Sequence, residues 1–214
     1  MDLELGSSAA NNIGKEITTR LRESTSGNAK KLTRFEHEDL EKRIAFEYAR
    51  EKGYWIDDLY SLGAPLSGGG NENTLALDTN KGDLYKSNNL NNSNNSIYEL
   101  LQQISNHNLL FPETKYELVG FTGVAPSASG RVPYVEPIFR QAYIPNATQA
   151  SEEEIREFME SNGFKQRSSS ETSVFTNEKY TVADLRPRNV LKSTDGNIAV
   201  IDDIVTKNSD KHPK

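Results

Sequence analysis

The sequence predicts an α+β fold built on antiparallel strands, and three observations carry that prediction. Short β-forming runs at 62–78 and 83–86 are joined by glycine-, Asn- and Asp-rich turns rather than by helices, so successive strands should return as hairpins. Helical periodicity is confined to a few separate stretches. The chain also closes on a tight hairpin over 189–202, turning at Thr194-Asp195-Gly196-Asn197.

Taken in order, residues 1–31 are rich in Ser, Asn, Thr and Gly and read as a mobile arm, with a short helix at 13–23 where Ile13, Ile17 and Leu21 recur every four residues. A helix is expected over 33–52. Thr33 and Glu36 make a capping box, Leu40, Ile44, Ala45, Phe46 and Tyr48 an apolar stripe, and Gly53 a stop. Tyr54-Trp55-Ile56 reads as an aromatic anchor for that helix. Three strands follow, separated by turns at Gly68-Gly69-Gly70 and at 78–83.

Residues 87–96 hold six Asn in ten positions, a polar low-complexity loop. Apolar residues at 97, 100, 101 and 104 then mark a helical face. Strands are expected at 116–121 and 135–144, with a hairpin loop at 122–133 between them. Ser151-Glu152-Glu153-Glu154 opens another capped helix, ending near Asn162-Gly163. Two or three strand-like pieces lie in 164–183, and a polar tail occupies the last dozen residues.

Composition narrows the function. A net charge of −6 without a long basic run argues against nucleic-acid binding. With no Cys there are no disulfides or thiolate sites, and His37, His107 and His212 lie too far apart in sequence for a zinc motif. No run approaches 18 apolar residues and the N-terminus lacks a signal core, so the expectation is a cytoplasmic protein without a membrane span.

The strongest chemical signal runs from Asp184 to Asp202. Asp184 and Asn189 stand five apart, and Asp202 follows thirteen residues later at the end of an apolar strand. Phosphoryl transfer needs a carboxylate near the attacking hydroxyl and a pair of oxygen ligands for Mg²⁺, a hard cation that keeps several waters. Any one of these residues alone is an ordinary turn former. Three further parts appear once each and in order. Gly68-Gly69-Gly70 form a turn between strands whose backbone N–H groups can cover phosphates; Lys86 follows on the third strand, and Glu99 on the next helix, with Glu113 a poorer alternative.

These segments, with Trp55-Ile56, Gly69-Gly70-Asn71-Glu72-Asn73-Thr74, Leu84-Tyr85-Lys86 and Ile138-Phe139-Arg140-Gln141, resemble the small kinase-like domain found in polyvalent proteins of phages and mobile elements. The resemblance covers roughly residues 35–206. It implies a protein-kinase-like fold over 32–206: an N-terminal helix at 33–52, an antiparallel N-lobe sheet with one main helix at 60–144, a reduced and truncated C-lobe at 151–206, and a tail at 207–214. It further implies ATP and Mg²⁺ as cofactors. Asp184 would be the catalytic base or hydroxyl orienter, and Asn189 and Asp202 the metal ligands. Lys86, paired with Glu99, would hold phosphate. Residues 141–144, among them Gln141 and Tyr143, would be the hinge that meets adenine. Arg186, where many such kinases have Lys, would neutralise the transferred phosphoryl group.

The chain departs from the pattern in three places. Val182-Ala183 stands where His-Arg is usual, Asp203-Ile204 follows Asp202 in place of Phe-Gly with Asp203 expected to face solvent, and the sequence stops twelve residues after Asp202. That length leaves no room for an activation segment and a helical substrate lobe. The expected function is an ATP- and Mg²⁺-dependent phosphotransferase acting on a protein hydroxyl, its acceptor or partner chain unidentified. The alternatives are a catalytically inactive nucleotide- or protein-binding module and, more weakly, a small-molecule kinase.

Overall fold

The computed structural model describes residues 4–6, 8–26, 32–126, 132–168 and 170–208. The chain is α+β, with antiparallel sheets and, among the described residues, four α-helices. It divides into two units, Met1–Gln102 with Tyr116–Tyr143, and Gln103–Lys115 with Ile144–Lys214.

In the first unit, α1 (Ser8–Ser26) and α2 (Arg34–Lys52) pack together. Helix α1 is longer than the expected 13–23, and Ile13, Ile17 and Leu21 are buried as their spacing requires. Arg20 joins the pair: its guanidinium lies 4.9 Å over the Tyr48 ring and its Nη1 donates to Glu51 at 3.0 Å. The described part of the arm is therefore packed, and Leu5 is fully buried with its carbonyl accepting from Leu118 N at 3.1 Å. The arm's polar composition hid this, because three well-spaced aliphatic residues suffice to dock one helix face.

Helix α2 starts and stops as its sequence dictates. Thr33 and Glu36 form the capping box and Gly53 takes the left-handed conformation at φ 76°. Its buried face differs from the expected stripe, since Leu40 and Phe46 are only half-buried while Glu38 and Glu41 are buried. Trp55 packs edge-on against Phe46 at 4.9 Å, and Ile56 N donates to Phe121 O at 2.8 Å, so the aromatic anchor ties α2 to the sheet.

That sheet has five antiparallel strands: β1 (Ala64–Leu66), β2 (Asn73–Asp78), β3 (Asp83–Asn88), β4 (Glu117–Val124) and β5 (Tyr134–Ala142), in the order β1-β2-β3-β5-β4. The two-residue period sends Ala76, Tyr85 and Ile138 into a core with Leu59. Lys86, paired in register with Leu75 and Phe139, falls on the opposite face. The expected hairpin loop at 122–133 lies partly outside the described residues; β4 itself runs to Val124.

Helix α3 (Ile97–Leu110) continues five residues beyond the expected 97–105. Glu41 of α2 closes its N-terminus, accepting from Ile97 N at 2.8 Å, Ser96 Oγ at 3.0 Å and Tyr98 N at 3.4 Å. A carboxylate there satisfies helix donors that otherwise lack partners.

The second unit contains β6 (Thr148–Gln149), α4 (Glu152–Ser161), β7 (Lys165–Gln166), β8 (Phe175–Thr176), β9 (Tyr180–Ala183), β10 (Val190–Lys192), β11 (Ile198–Val200) and β12 (Ile204–Lys207). They form two small sheets, β11-β10-β6 and β12-β9-β8-β7. Helix α4 carries its capping box at Ser151 and Glu154. The core gathers Ile155 and Met159 of α4 with Val182, Leu185, Val190, Val200 and Val205. Strand β12 corrects the expected tail: 204–207 pairs with β9, and Val205 is buried. No helix among the described residues is long and apolar enough to cross a membrane.

Burial raises the Glu41 carboxyl above its ordinary 4.5, so the native state holds its proton at pH values where the unfolded chain has released it. The Glu41 contribution to stability is then complete below the unfolded pKa and falls as pH rises through the native one. Glu41→Gln removes that titration, so the stability difference between wild type and variant in urea unfolding should shift against the wild type as pH rises from 4.5 towards neutrality. A difference independent of pH would show that Glu41 does not titrate with folding. Glu41→Ala strands the α3 donors and should cost about 1–3 kcal/mol at any of these pH values.

Candidate active site

In the first unit the glycine turn is built, not loose. Gly68 and Gly70 take φ values of 119° and 65°, and a Cβ on Gly69 would lie 1.9 Å from Asn73 O. Gly69 has no room for a side chain, and the left-handed φ of Gly68 and Gly70 favours glycine. The Asn-rich segment fixes the turn from outside. Asn89 Nδ2 donates to Asn71 O at 2.7 Å, Asn88 Nδ2 donates to Glu72 Oε1 at 3.1 Å, and Asn92 Nδ2 bonds the other Glu72 oxygen. The repeated Asn thus has a physical reason: its side chain hydrogen-bonds backbone and tolerates left-handed φ, as at Asn94 (53°) and Asn95 (60°).

Lys86 is buried on β3, with its Nζ 3.2 Å from Tyr116 Oη and 4.9 Å from the centre of that ring. Tyr116 in turn meets Phe139 edge-on at 6.0 Å. Glu99 lies elsewhere: it is exposed, and its Oε2 accepts from Asn94 Nδ2 at 2.8 Å. The expected Lys86–Glu99 ion pair is therefore not formed in this structure. Glu99 occupies the first turn of α3, where a carboxylate favours the helix N-terminus rather than a distant lysine. Gln141 is buried on β5 opposite Leu84, while Tyr143 is 39% exposed and its amide donates to Gly82 O at 2.8 Å. That N–H is already committed, so the hinge expected at 141–144 has one donor fewer than its sequence offers.

In the second unit the Asp184–Asn189 loop is held by its apolar neighbours. Leu185 and Val190 are buried in the core and anchor both ends of the turn. Asp184 takes φ 60°, an uncommon conformation that Asp tolerates better than most residues. Asn189, itself buried, donates its amide to Asp184 O and to Asp184 Oδ2, both at 2.8 Å. Arg186 Nε reaches Asp184 Oδ1 at 2.9 Å and Arg188 Nη2 lies 3.5 Å from Oδ2. Ile201 N donates to Asn189 O at 2.9 Å, which registers the Asp202 strand end on the loop. Asp184, Arg186 and Asn189 are thus brought together, and Asp202 follows one residue after a direct backbone link to them.

Because Asn189 spends its N–H groups on Asp184, its Oδ1 is the atom left for a cation. Among the described residues no three His, Asp or Glu side chains cluster as a ready-made metal site. A donor set of one amide oxygen and one or two carboxylates suits Mg²⁺, which takes its remaining ligands from water and phosphate.

Asp203 corrects the expectation that it faces solvent. Its side chain is 1% exposed, its Oδ1 lies 2.5 Å from His107 Nδ1, and its Oδ2 is buried without a hydrogen-bond partner. His107 Nε2 faces Thr114 O at 3.1 Å, and Asn106 Nδ2 reaches Val205 O at 3.3 Å. The end of α3 is thereby tied to the residues that follow Asp202. The sequence gives no role to His107 or Tyr116 and leaves Asp203 in solvent; the one available signal is the polar run Ser105-Asn106-His107-Asn108 near the end of a helix.

The model of a family described as serine/threonine/tyrosine kinase found in polyvalent proteins covers residues 38–208. No curated protein and no solved structure matches the chain.

Replacing His107 with Ala leaves the Asp203 carboxylate buried and unpaired, which costs about 3–5 kcal/mol. Chemical denaturation checks this; a loss below about 1 kcal/mol would mean that water reaches Asp203 and the pair is not structural.

Proposed function

We infer the function from family and geometry together: the chain belongs to the serine/threonine/tyrosine kinases found in polyvalent proteins. We propose that it is a phosphotransferase dependent on ATP and Mg²⁺, acting on a protein hydroxyl, with the sheet of the first unit as its N-lobe and the second unit as a reduced C-lobe. The observation that carries the reading is the Asp184–Asn189 lock at 2.8 Å, registered on the Asp202 strand through Asn189 O and Ile201 N.

When bound, MgATP supplies the phosphoryl group and the charge neutralisation that its transfer requires. The residues of this chain hold and orient. The backbone N–H groups around Gly68, Gly69 and Gly70 cover phosphate oxygens, which a side chain at Gly69 would obstruct by displacing Asn73. Lys86 Nζ, steadied by Tyr116, offers the phosphates a positive charge on a rigid strand. Gln141 and Tyr143 border the adenine site. Asn189 Oδ1 and the Asp202 carboxylate hold the metal. Asp184 Oδ1 meets one partner, Arg186 Nε, and so retains a lone pair with which to accept the acceptor hydroxyl's hydrogen and later its proton. Arg186, 56% exposed beside Asp184, places its guanidinium where charge develops on the transferred group.

A second reading is supported by one specific observation. Kinases of this type require the strand lysine and helix glutamate to be paired, whereas here Lys86 meets Tyr116 and Glu99 meets Asn94. The chain would then be a binding module that takes nucleotide or protein without turnover.

Calorimetry with ATP and Mg²⁺ separates the two from an empty scaffold. Wild type should bind ATP only with Mg²⁺, and Asp202→Ala and Lys86→Ala should each abolish that binding. Asp184→Asn should retain ATP affinity while phosphate transfer drops by about 10²–10⁴-fold. Transfer that survives Asp184→Asn unchanged would sink the role of Asp184; saturable Mg²⁺-dependent binding with no transfer in wild type would select the binding module.

A further inference from the structure

The second unit carries a groove of about 1330 Å³ that contains neither Asp184, Asn189 nor Asp202. It is lined by the end of α3, the 3₁₀ turn Pro112–Thr114, one face of α4 and the β10–β11 turn. That volume exceeds the roughly 300–1,000 Å³ of small-ligand pockets and accommodates a length of peptide.

Two kinds of surface meet in it. Leu109 is 55% exposed, and Leu110, Phe158 and Ile198 are half-buried. Phe158 stacks on Phe111 at 6.4 Å, so its ring is a fixed wall. Around this apolar floor stand Glu113, Glu157 and Asp195, all exposed and, among the described residues, in no ion pair. The one cation in the lining, Lys192, is taken: its Nζ lies 2.6 Å from Glu154, and this contact, with the Ser151 cap, holds the Glu154 carboxyl down to about 2.

Helix periodicity shows that α4 has a second working face. Ile155 and Met159 bury in the core, while Glu154, Glu157, Phe158 and Ser161 stand at i, i+3, i+4 and i+7 on the groove side. Phe158 packs against the core on one side and stands half-buried between carboxylates on the groove side. Uncompensated negative charge around apolar surface rules out nucleic acid and selects a partner that brings both positive charge and aliphatic side chains.

The geometry points to a docking site for a cationic, apolar-anchored segment of a partner protein: Lys or Arg side chains against Glu113, Glu157 and Asp195, with aliphatic side chains on Leu109, Phe158 and Ile198. Such docking requires no nucleotide and stands whether or not the chain transfers phosphate.

The test is fluorescence anisotropy of the full chain, without nucleotide, against a labelled peptide Arg-Lys-Arg-Gly-Leu-Gly-Leu. Saturable one-to-one binding is expected. It should weaken at least about fivefold in Glu157→Lys/Asp195→Lys and fall clearly in Leu109→Ser, an exposed position that leaves the fold intact by circular dichroism. It should be unchanged in Glu178→Lys, an exposed charge outside the groove. Peptides with Glu for the basic residues, or Ser for both Leu, should bind more weakly. Absence of saturable binding overturns the proposal. So does equal loss in Glu178→Lys, which would mean bulk attraction to an acidic chain, and so does indifference to Leu109→Ser.

Discussion

A buried carboxylate beside a buried imidazole sets the second unit in order. Asp203 and His107 are both almost wholly enclosed and 2.5 Å apart. Neither tolerates isolation there, because an unpaired charge in the interior costs several kcal/mol. The pair therefore fixes the end of α3 against the turn between β11 and β12, and Asp202, one residue away, inherits a defined position. The unpartnered Asp203 Oδ2 leaves this arrangement short of one hydrogen bond. Buried polar groups kept at such cost commonly specify a unique arrangement, and here the group adjoins the proposed metal ligand.

The same logic of enclosed polar groups recurs in the first unit. Glu41 closes the N-terminus of α3 from inside the protein, and Lys86 lies in the sheet face against Tyr116. The glycine turn is likewise constrained by Asn88 and Asn89, so its backbone donors are preorganised.

Local signals in the sequence carry through to the structure where one rule acts alone. Thr33 with Glu36 and Ser151 with Glu154 each form the capping box that their spacing dictates, since the bond partners lie within one helical turn. The β10–β11 hairpin follows from its Ser-Thr-Asp-Gly-Asn turn between apolar runs. The Asp184–Asn189 contact was legible for a similar reason: five residues of loop, with buried Leu185 and Val190 on either side, leave few conformations. Helix α1 and strand β12 exceed what their sequences suggest because polar composition dominates each window, whereas docking needs only Ile13, Ile17 and Leu21, or Val205.

By itself, then, the sequence determined the α+β class, the caps, the closing hairpin and the closeness of Asp184 to Asn189, all governed by residues near one another along the chain. Tertiary structure decided which side chains the charged residues meet. Lys86 has Tyr116 thirty positions away, Asp203 has His107 ninety-six away, and Glu41 has the α3 amides from position 97 onward. Electrostatic pairing acts through space and is paid in desolvation, so it depends on which groups the fold buries together, and no local pattern encodes that.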